Sequence, residues 1–469
     1  MKQLILDLIR LYQTTVSEVT PHSCCFQPTC SHYALEVISK YGFIKGSWLT
    51  FKRLARCNPF SKGGYDPCPE RSEGTRGLPR RFAPRNDRGE VKHIKALFLF
   101  AFLLLIFSFA SCMPGGTQAA QGWAGIALHD DVLYTGSIDG KVIAVNATAR
   151  ELEWSYAISM PSTGMSCSQT SRPTPIYGTP AVFQDLCYVA AYSGRVYALN
   201  IITGRERWVY PKEGYMGAIV ASPVVAGDTI YVSSSDGKVH ALDATYGELK
   251  WSSEPLGEKL WITPAIEGDT IYVSTFEGYI YSLSTKDLSL LPWTFKANVG
   301  FVSSPVIYQD TIFVGAFDNN LYAIKIGESE PIWRFCGGEW FWATPVVKDG
   351  IVYAGCLDGK IYAINAKTGD LEWEFDTGSP IVSSPVWDGD LLIVASESGD
   401  IYVFDTHSEP ENKVMMPAKT VPIDALIRGS LCVQDSTIYV RAQDNCLYAL
   451  DIEKGWISWR LPLNTKGES

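Results

Sequence analysis

After Trp123, hydrophobic and polar positions recur along the chain in one repeated pattern. The clearest units are residues 222–251, SPVVAGDTIYVSSSDGKVHALDATYGELKW, and residues 344–373, TPVVKDGIVYAGCLDGKIYAINAKTGDLEW. Each unit predicts a short strand, a turn, a strand of alternating apolar and polar residues, a hairpin, a third strand ending in Asp or Asn, and a fourth strand carrying Trp. The pattern therefore predicts repeated four-stranded units.

A glycine or asparagine marks the hairpin of every repeat, because a two-residue hairpin turn needs positive φ. This position recurs at intervals of 39 to 54 residues, at Gly140, Gly194, Gly237, Gly278, Asn320, Gly359, Gly399 and Asn445. Eight repeats of four strands predict an all-β, eight-bladed propeller over residues 123–469.

Tryptophan occupies equivalent fourth-strand positions in seven of the eight repeats, at Trp154, Trp208, Trp251, Trp293, Trp333, Trp373 and Trp459. Repeat seven has none. A cofactor site needs one or two such rings, so we interpret the seven as packing between adjacent blades.

Two sets of residues precede the Ser/Thr-Pro pair that begins a repeat. One set is Tyr177, Val220, Trp261, Val302, Trp342 and Val382, and its neighbours are Ile176, Ile219, Leu260, Phe301, Phe341 and Ile381. Alternation along a strand predicts that the second set packs the blades together while the first faces the funnel mouth. Tyr177, Trp261 and Trp342 then either grip an extended peptide or small ligand, or fill space where the blades converge.

The first 69 residues follow a different, helical pattern. Apolar residues at helical spacing form one face that suits a membrane interface or packs within its own domain, at Leu4, Ile5, Leu8, Ile9, Leu11 and Tyr12. Further helices are expected over residues 34–40 and after Gly46, and an irregular loop is expected around Gly63 and Gly64. The expected fold is a small α-helical, cysteine-containing module.

The run CCFQPTCSHYALEVISKYGFIKGSWLTFKRLARCNPFSKGGYDPCP resembles the YidD family of membrane protein insertion efficiency factors over residues 1–69. The residues that carry the resemblance include Cys24, Pro28, Cys30, Tyr33, Arg56, Cys57, Pro59, Gly63, Gly64, Tyr65, Asp66 and Pro67. Cys25 stands where the family usually has arginine, and Cys68 where it has valine. The resemblance implies a non-enzymatic accessory of the membrane insertase machinery, in contact with anionic lipid.

The cysteines of this module leave two interpretations open. Cys24, Cys30 and Cys57 with Cys68 would complete a four-thiolate metal set, but their spacing lacks the close pairs of zinc sites. Buried thiols, or a pairing of Cys57 with Cys24 or Cys30, are the interpretation that we favour. We therefore assign no metal or cofactor to the module.

Residues 70–95 predict a disordered basic linker, and residues 91–112, VKHIKALFLFAFLLLIFSFASC, predict a lipoprotein-type signal or a membrane anchor. The end of this run resembles a lipobox, which implies that Cys112 becomes a lipid-modified amino terminus after cleavage. A signal that begins near Val91 suggests a fusion of two adjacent genes, or two separate products wrongly joined. If the chain is one uncleaved product, the apolar run is an anchor.

Charge divides the chain at the same place. Residues 1–95 hold 16 Lys and Arg against 8 Asp and Glu, whereas the remainder is net negative at -18. A basic front beside an apolar run suits the anionic cytoplasmic leaflet, and the acidic remainder is a poor nucleic-acid binder. The positive-inside rule therefore predicts a cell-membrane protein with its first module cytoplasmic and its propeller extracytoplasmic.

The repeats themselves resemble PQQ-type propellers, the family of quinoprotein dehydrogenases and of BamB-like lipoproteins. Quinoproteins clamp their cofactor with adjacent cysteines, and no adjacent cysteines follow residue 112. The resemblance thus implies a non-enzymatic scaffold for protein or peptide partners, with a PQQ-dependent oxidoreductase as the alternative. Cys336 with Cys356, and Cys167 with Cys187, are candidate disulfides in an oxidising compartment.

Overall fold

A computed structural model describes residues 124–160 and 172–463, together with residues 26–27, 33–34, 37–38, 40, 49–50, 52 and 64–65. The chain divides into two compact units, residues 1–113 and residues 114–469, and each is described by itself. The predicted membrane-facing residues 4–12, the linker 70–95, the apolar run 96–110 and Cys112 lie outside the described residues.

The described part of the first unit combines helical positions with one short strand pair. Residues 33–34, 37–38, 40, 49–50 and 52 are helical, with Tyr33 and Val37 buried and Lys40 exposed. Strand β1 (Phe26–Gln27) pairs in parallel with strand β2 (Gly64–Tyr65). The expectation of a wholly irregular loop around Gly64 is therefore wrong, because this segment adds main-chain hydrogen bonds to the chain between Cys24 and Cys30.

The second unit contains eight four-stranded antiparallel sheets, which confirms the predicted eight-bladed propeller. Blades 1 to 4 comprise β3 (Ile126–His129), β4 (Val132–Gly136), β5 (Lys141–Asn146) and β6 (Glu151–Ala157); β9 (Ala181–Phe183), β10 (Leu186–Ala191), β11 (Arg195–Asn200) and β12 (Glu206–Tyr210); β13 (Val224–Ala226), β14 (Thr229–Ser233), β15 (Val239–Asp243) and β16 (Leu249–Ser252); and β17 (Ala265–Glu267), β18 (Thr270–Ser274), β19 (Tyr279–Ser284) and β20 (Leu290–Lys296). A short pair, β7 (Ser159–Met160) and β8 (Arg172–Pro173), lies between blades 1 and 2 in the sequence.

Blades 5 to 8 repeat the same order of strands. They comprise β21 (Val306–Tyr308), β22 (Thr311–Gly315), β23 (Asn320–Lys325) and β24 (Trp333–Cys336); β25 (Val346–Lys348), β26 (Ile351–Gly355), β27 (Lys360–Asn365) and β28 (Leu371–Asp376); β29 (Val386–Asp388), β30 (Leu391–Ala395), β31 (Asp400–Asp405) and β32 (Lys419–Pro422); and β33 (Cys432–Gln434), β34 (Thr437–Arg441), β35 (Cys446–Asp451) and β36 (Trp456–Pro462). First strands of successive blades, such as β3 and β9 or β21 and β25, lie side by side, so they surround the propeller axis.

The hydrophobic core lies between the blades rather than inside one of them. In blade 3, Ile230 and Val232 pack against blade 2, while Tyr231 between them packs against blade 4. Alternate side chains of a strand point to opposite faces, and both faces of an inner blade strand are covered. The second strand of each repeat is therefore a nearly continuous apolar run, and the expected alternation of apolar and polar residues along it is wrong.

The ring closes where blade 8 meets blade 1. Each of these two blades is built from four consecutive strands, so no strand is exchanged between them. Instead, Ile126 and Leu133 of blade 1 share a buried cluster with Leu447 of blade 8 and with Leu463. Closure therefore depends on side-chain packing between the first and last blades.

The hairpins between second and third strands differ in detail from the expected two-residue turn. In blade 1, the Ser137 amide donates to the Lys141 carbonyl at 2.9 Å and the Gly140 amide donates to the Ser137 carbonyl at 3.2 Å, which encloses three residues. Gly140 has a φ of 77°, as the third residue of such a loop requires. In blade 5 the positive φ belongs to Asn319, at 65°, so the expectation of Asn320 is wrong by one residue.

Only some of the seven fourth-strand tryptophans are packed between adjacent blades. Trp154, Trp208, Trp333 and Trp373 are buried. The indole Nε1 of Trp208 donates to the Ala244 carbonyl of the next blade at 3.0 Å. Trp251, by contrast, is 50% exposed, so the prediction that all seven rings pack between blades is wrong there. The corresponding carbonyl, that of Thr285, accepts the Tyr231 hydroxyl at 2.9 Å.

Within the described residues, we find no helix that combines the length and the apolar character needed to cross a membrane.

Candidate functional site

The connectors between blades and the three-residue hairpin loops meet at one end of the propeller, which we call the mouth. Main-chain hydrogen bonds join the two in a repeated way: the amide of the first loop residue donates to the connector carbonyl, as from Ser235 to Ala218 and from Phe317 to Gly300, both at 2.9 Å. The first loop residues are Ile138, Tyr192, Ser235, Phe276, Phe317, Leu357, Glu397 and Gln443. The backbone thus places the connectors and the hairpin loops around one opening.

The connector residues predicted to pack the blades are all buried. Ile176, Ile219, Leu260, Phe301, Phe341 and Ile381 are each exposed by 1% or less. They fill notches in the preceding blade: a Cβ atom on Gly136 would lie 2.3 Å from Ile176, and one on Gly355 would lie 2.4 Å from Ile381. Close packing of this kind holds the connectors rigidly and gives the mouth a fixed shape.

A hydrogen-bonded belt of Ser and Thr side chains also links neighbouring connectors. The amide of Gly125 donates to Thr179 Oγ1 at 3.2 Å, that of Thr179 to Ser222 Oγ at 2.9 Å, and that of Ser222 to Thr263 Oγ1 at 3.0 Å. The amide of Thr344 makes the equivalent hydrogen bond to the connector of the next blade. These Ser and Thr residues of the Ser/Thr-Pro pairs therefore join one blade to the next beside the axis.

The three predicted mouth residues are all half-buried. Tyr177 contacts Tyr192 edge to face, with ring centroids 5.5 Å apart, and burial raises the pKa of the Tyr177 hydroxyl. Trp261 donates from Nε1 to Ser235 Oγ at 2.7 Å. Trp342 is half-buried in the equivalent connector two blades further on. The structure therefore leaves part of each ring accessible.

Around Trp261, four rings form a continuous surface that we call the aromatic arc. Trp261 contacts Phe276 at 6.0 Å between ring centroids, Phe276 contacts Phe317 at 5.8 Å, and Phe317 contacts Trp340 at 5.0 Å. All four residues are half-buried. Sequence reasoning missed Phe276, Phe317 and Trp340, although Tyr192, Phe276 and Phe317 share the first loop position and could have been found by aligning the hairpins.

The next part of the mouth, on blades 7 and 8, is polar, and we call it the polar arc: Glu397, Arg428, Arg441 and Gln443. Arg428 Nε lies 2.5 Å from Glu397 Oε1, an ion pair between a connector and the hairpin of the preceding blade. Trp261 and Ser235 likewise join a connector to the hairpin of the preceding blade, through a hydrogen bond beside the aromatic arc. The mouth is therefore divided into a mainly apolar part on blades 4 to 6 and a charged part on blades 7 and 8.

The candidate disulfides of the propeller are not formed. Cys336 is exposed, whereas Cys356 is buried, and both thiols are free. The Cys356 Sγ donates to the Glu339 carbonyl at 3.2 Å, and burial raises the pKa of this thiol to about 12. Cys187 is also buried and free, and burial raises the pKa of its thiol, while Cys167 lies outside the described residues. The predicted Cys336 to Cys356 pairing is thus wrong, because the two side chains occupy different environments.

The chain's other candidate chemistry is largely outside the described residues. Of the family-motif positions in the first module, the structure describes Tyr33, which is buried, and Gly64 and Tyr65, which form β2. Across residues 124–160 and 172–463 and the short described stretches before them, no group of three or more His, Cys, Asp or Glu side chains is arranged to hold a metal ion.

Comparison with known families gives two matches on separate parts of the chain. Residues 159–452 match the family model described as the β-propeller of the beta-alanine-activating enzyme. Residues 1–69 match the YidD family of membrane protein insertion efficiency factors, as the sequence motifs predicted. The propeller match covers more than half of the chain.

Solved structures show the same fold at low sequence identity. BamB from Moraxella catarrhalis is 17% identical, with a TM-score of 0.55 over 70% of this chain and 93% of that one. The computationally designed Ika8 protein is 14% identical, with a TM-score of 0.56 over 71% of this chain and 97% of that one. At these identities the likeness concerns the fold.

Proposed function

Since the chain belongs to the β-propeller family whose model is described as the propeller of the beta-alanine-activating enzyme, we propose that its propeller is a non-enzymatic scaffold. This scaffold binds extended peptide segments of partner proteins at the mouth. The observation that carries this proposal is the aromatic arc. Four half-buried rings in contact with one another provide a large apolar surface on a rigid support. Aromatic residues in such positions supply much of the binding energy of protein interfaces.

The surroundings of the aromatic arc support a role in peptide binding rather than a role in filling space between the blades. Beside the arc, the residues that pack the blades, such as Phe301 and Phe341, are fully buried. The arc residues are the ones left partly accessible, although they occupy the same connectors and the neighbouring loops. A rigid apolar surface beside polar main-chain groups suits an extended chain with apolar side chains on one face.

Fluorescence anisotropy with a labelled, amidated peptide tests this proposal on the full chain in detergent. The peptide carries Phe and Leu at alternating positions with Ser between them, and a Ser-only peptide is its reference. We expect binding of the first peptide, and an affinity lowered about tenfold or more in Trp261→Ala, the loss typical of a central aromatic contact.

Trp293→Ala is the matched control. Trp293 is also a half-buried tryptophan of blade 4, but it lies on the outermost strand, where its Nε1 donates to the Glu328 carbonyl at 2.9 Å. This variant should bind the peptide with unchanged affinity. Equal losses in the two variants, or a Trp261→Ala variant that loses thermal stability but keeps its affinity, would contradict the proposal.

The match of residues 1–69 to the YidD family supports a second function for the first module, namely assistance to the insertion of integral membrane proteins. Its partners would be the membrane insertase machinery and anionic lipid. A protease-protection assay on newly made multispanning proteins should show reduced insertion in cells that carry Tyr65→Ala, which alters the family motif within β2. Lys40→Gln, at an exposed helical position, is the control that should leave insertion unchanged.

The charge difference between the two parts supports a membrane topology. The basic first 95 residues suit the cytoplasmic face, and the acidic remainder, at -18, suits transfer across the membrane. The apolar run that ends at Cys112 separates them, as an anchor or as a lipoprotein signal. In this arrangement the module acts at the inner face while the propeller binds its partners outside.

A further inference from the structure

One position in the repeat separates blade 8 from the other seven blades. It lies at or near the end of the second strand, two residues before the hairpin loop, and carries Gly136, Ala190, Ser233, Ser274, Gly315, Gly355, Ala395 and Arg441. In the first seven blades a small residue leaves room for the connector of the next blade, as the 2.4 Å approach of a Cβ on Gly355 to Ile381 shows. Blade 8 therefore places a long cationic side chain where every other blade has almost none.

Arg441 extends across the closure of the ring toward blade 1. Its Nη1 donates to Thr135 Oγ1 at 3.3 Å, and its Nη2 donates to Asn445 Oδ1 at 3.4 Å. Both hydrogen bonds are long and both acceptors are neutral, although a guanidinium carries five donors arranged to meet a carboxylate with two parallel hydrogen bonds. Most of the hydrogen-bonding capacity of Arg441 is thus unused.

Arg441 also has no carboxylate in ion-pair contact among the described residues. Arg428 and Arg460, by contrast, each have a carboxylate partner. Burial lowers the pKa of Arg441 to about 10, so the group is still cationic at neutral pH. Asp139, which opposes that shift, is largely exposed and lies 3.5 Å from Lys141. A desolvated cation without an anion is costly and is retained mainly where a ligand supplies the anion.

Gln443, two residues further along the chain, provides an independent observation. Both polar atoms of its side-chain amide, Nε2 and Oε1, are buried and have no hydrogen-bond partner among the residues that the structure describes. Its main-chain amide donates to the Leu426 carbonyl at 2.9 Å, which places Gln443 in the same loop position that Phe276 and Phe317 occupy in the aromatic arc. A buried amide with one free donor and one free acceptor matches the hydrogen-bonding groups of a peptide bond.

We propose that Arg441 and Gln443 form a carboxylate-binding subsite of the mouth, in which Arg441 pairs with a carboxylate of a bound peptide and Gln443 pairs with an adjacent peptide bond. This inference rests on the proposed peptide-binding function and adds the chemical class of its partner, an extended segment with an acidic group near its apolar residues. The carboxylate comes either from an Asp or Glu side chain or from a free chain terminus.

Three versions of the Phe and Leu probe distinguish these sources: an amidated peptide with one added Glu, the same peptide with Gln, and a neutral peptide with a free C-terminal carboxylate. We expect at least one carboxylate peptide to bind the full chain about 10- to 100-fold more tightly than the amidated Gln peptide, as a charge-assisted pair provides. A gain for the Glu peptide identifies a side chain as the source, and a gain for the free-acid peptide identifies a terminus.

Arg441→Met should abolish this preference without lowering the melting temperature of the propeller, because it removes, at similar volume, a half-buried charge that has no ion-pair partner among the described residues. Arg460→Met removes one positive charge from the same blade at a mainly exposed site and should keep the preference. Loss of thermal stability in Arg441→Met with an unchanged preference for carboxylate peptides would indicate that Arg441 only joins blades 8 and 1, and it would overturn the inference. Equal affinities of all three peptides for the native chain, with binding still dependent on Trp261, would overturn it while leaving the proposed function intact.

Discussion

Adjacent residues Phe341 and Trp342 provide a direct test of how the mouth is built. Both belong to the connector into blade 6, but Phe341 is 0% exposed and Trp342 is half-buried. Phe341 packs against Phe335 and Tyr362, with ring centroids 6.4 and 5.7 Å away. We expect Phe341→Ala to destabilise the propeller more than Trp342→Ala does, although tryptophan is the larger side chain.

The magnitudes follow from burial. Truncation of a fully buried phenylalanine costs about 3 to 5 kcal/mol, whereas truncation of a half-buried tryptophan removes on the order of 100 Å² of apolar contact, or about 2 kcal/mol. The ring runs from residue 126 to residue 462. At about 2.1 cal/mol/K per residue, its unfolding entropy converts these values into about 4 to 7 °C for Phe341→Ala and about 3 °C for Trp342→Ala.

Differential scanning calorimetry of the full chain, followed at the propeller transition, measures both shifts. The same two variants are then tested for binding of the apolar peptide, where Trp342→Ala is the one expected to weaken affinity. A larger loss of stability in Trp342→Ala than in Phe341→Ala would refute the assignment of the two residues to opposite sides of the connector.

Three further outcomes follow from the same structure. Trp251→Ala, at a 50% exposed ring, should change the free energy of unfolding by about 1 kcal/mol or less, whereas Trp373→Ala, at a ring 5% exposed, should cost about 3 to 5 kcal/mol; comparable losses in urea unfolding would contradict the distinction. Burial alone would raise the pKa of Asp444, but hydrogen bonds from a tyrosine, the backbone and an arginine outweigh it and lower the pKa below 3.8. Asp444 therefore stabilises the fold above that unfolded-state pKa and loses this contribution as pH falls through its lower folded-state pKa, so Asp444→Asn should reduce the loss of stability measured by urea unfolding between neutral and acid pH. PQQ with calcium should leave the melting temperature unchanged, whereas a ligand at a hundred times its dissociation constant would add about 2.7 kcal/mol.

Periodicity made the architecture predictable. Eight hairpin signals, the apolar second strands and the apolar connector residues are local patterns, and each translates directly into a strand, a turn or a buried face. The error at Asn320 has a local reason as well. Asn319 and Asn320 are adjacent and both tolerate positive φ, so the sequence alone could not place the loop to within one residue.

The site was less predictable, because it is assembled from residues that are distant in the sequence. Phe276 and Phe317 come from hairpins of different blades, and Trp340 comes from a connector, so only the packing of neighbouring blades brings them together. Arg441 did leave a signal, since an alignment of the eight repeats shows one arginine among small residues. The cysteines left none: nothing in the spacing of Cys336 and Cys356 indicates that one is exposed and the other buried.

Our central proposal is a cytoplasmic insertion module joined to a propeller that binds partners on the other side of the membrane. Cys336 offers the most direct measurement, because its thiol is free and exposed while those of Cys187 and Cys356 are buried. A membrane-impermeant maleimide is added to sealed right-side-out vesicles, and the labelled sites are identified by peptide mapping, with Cys336→Ser as the control. The account predicts that Cys336 is labelled in intact vesicles and that the cysteines of residues 1–69 are labelled only after permeabilisation. Labelling of Cys336 only after permeabilisation would contradict it.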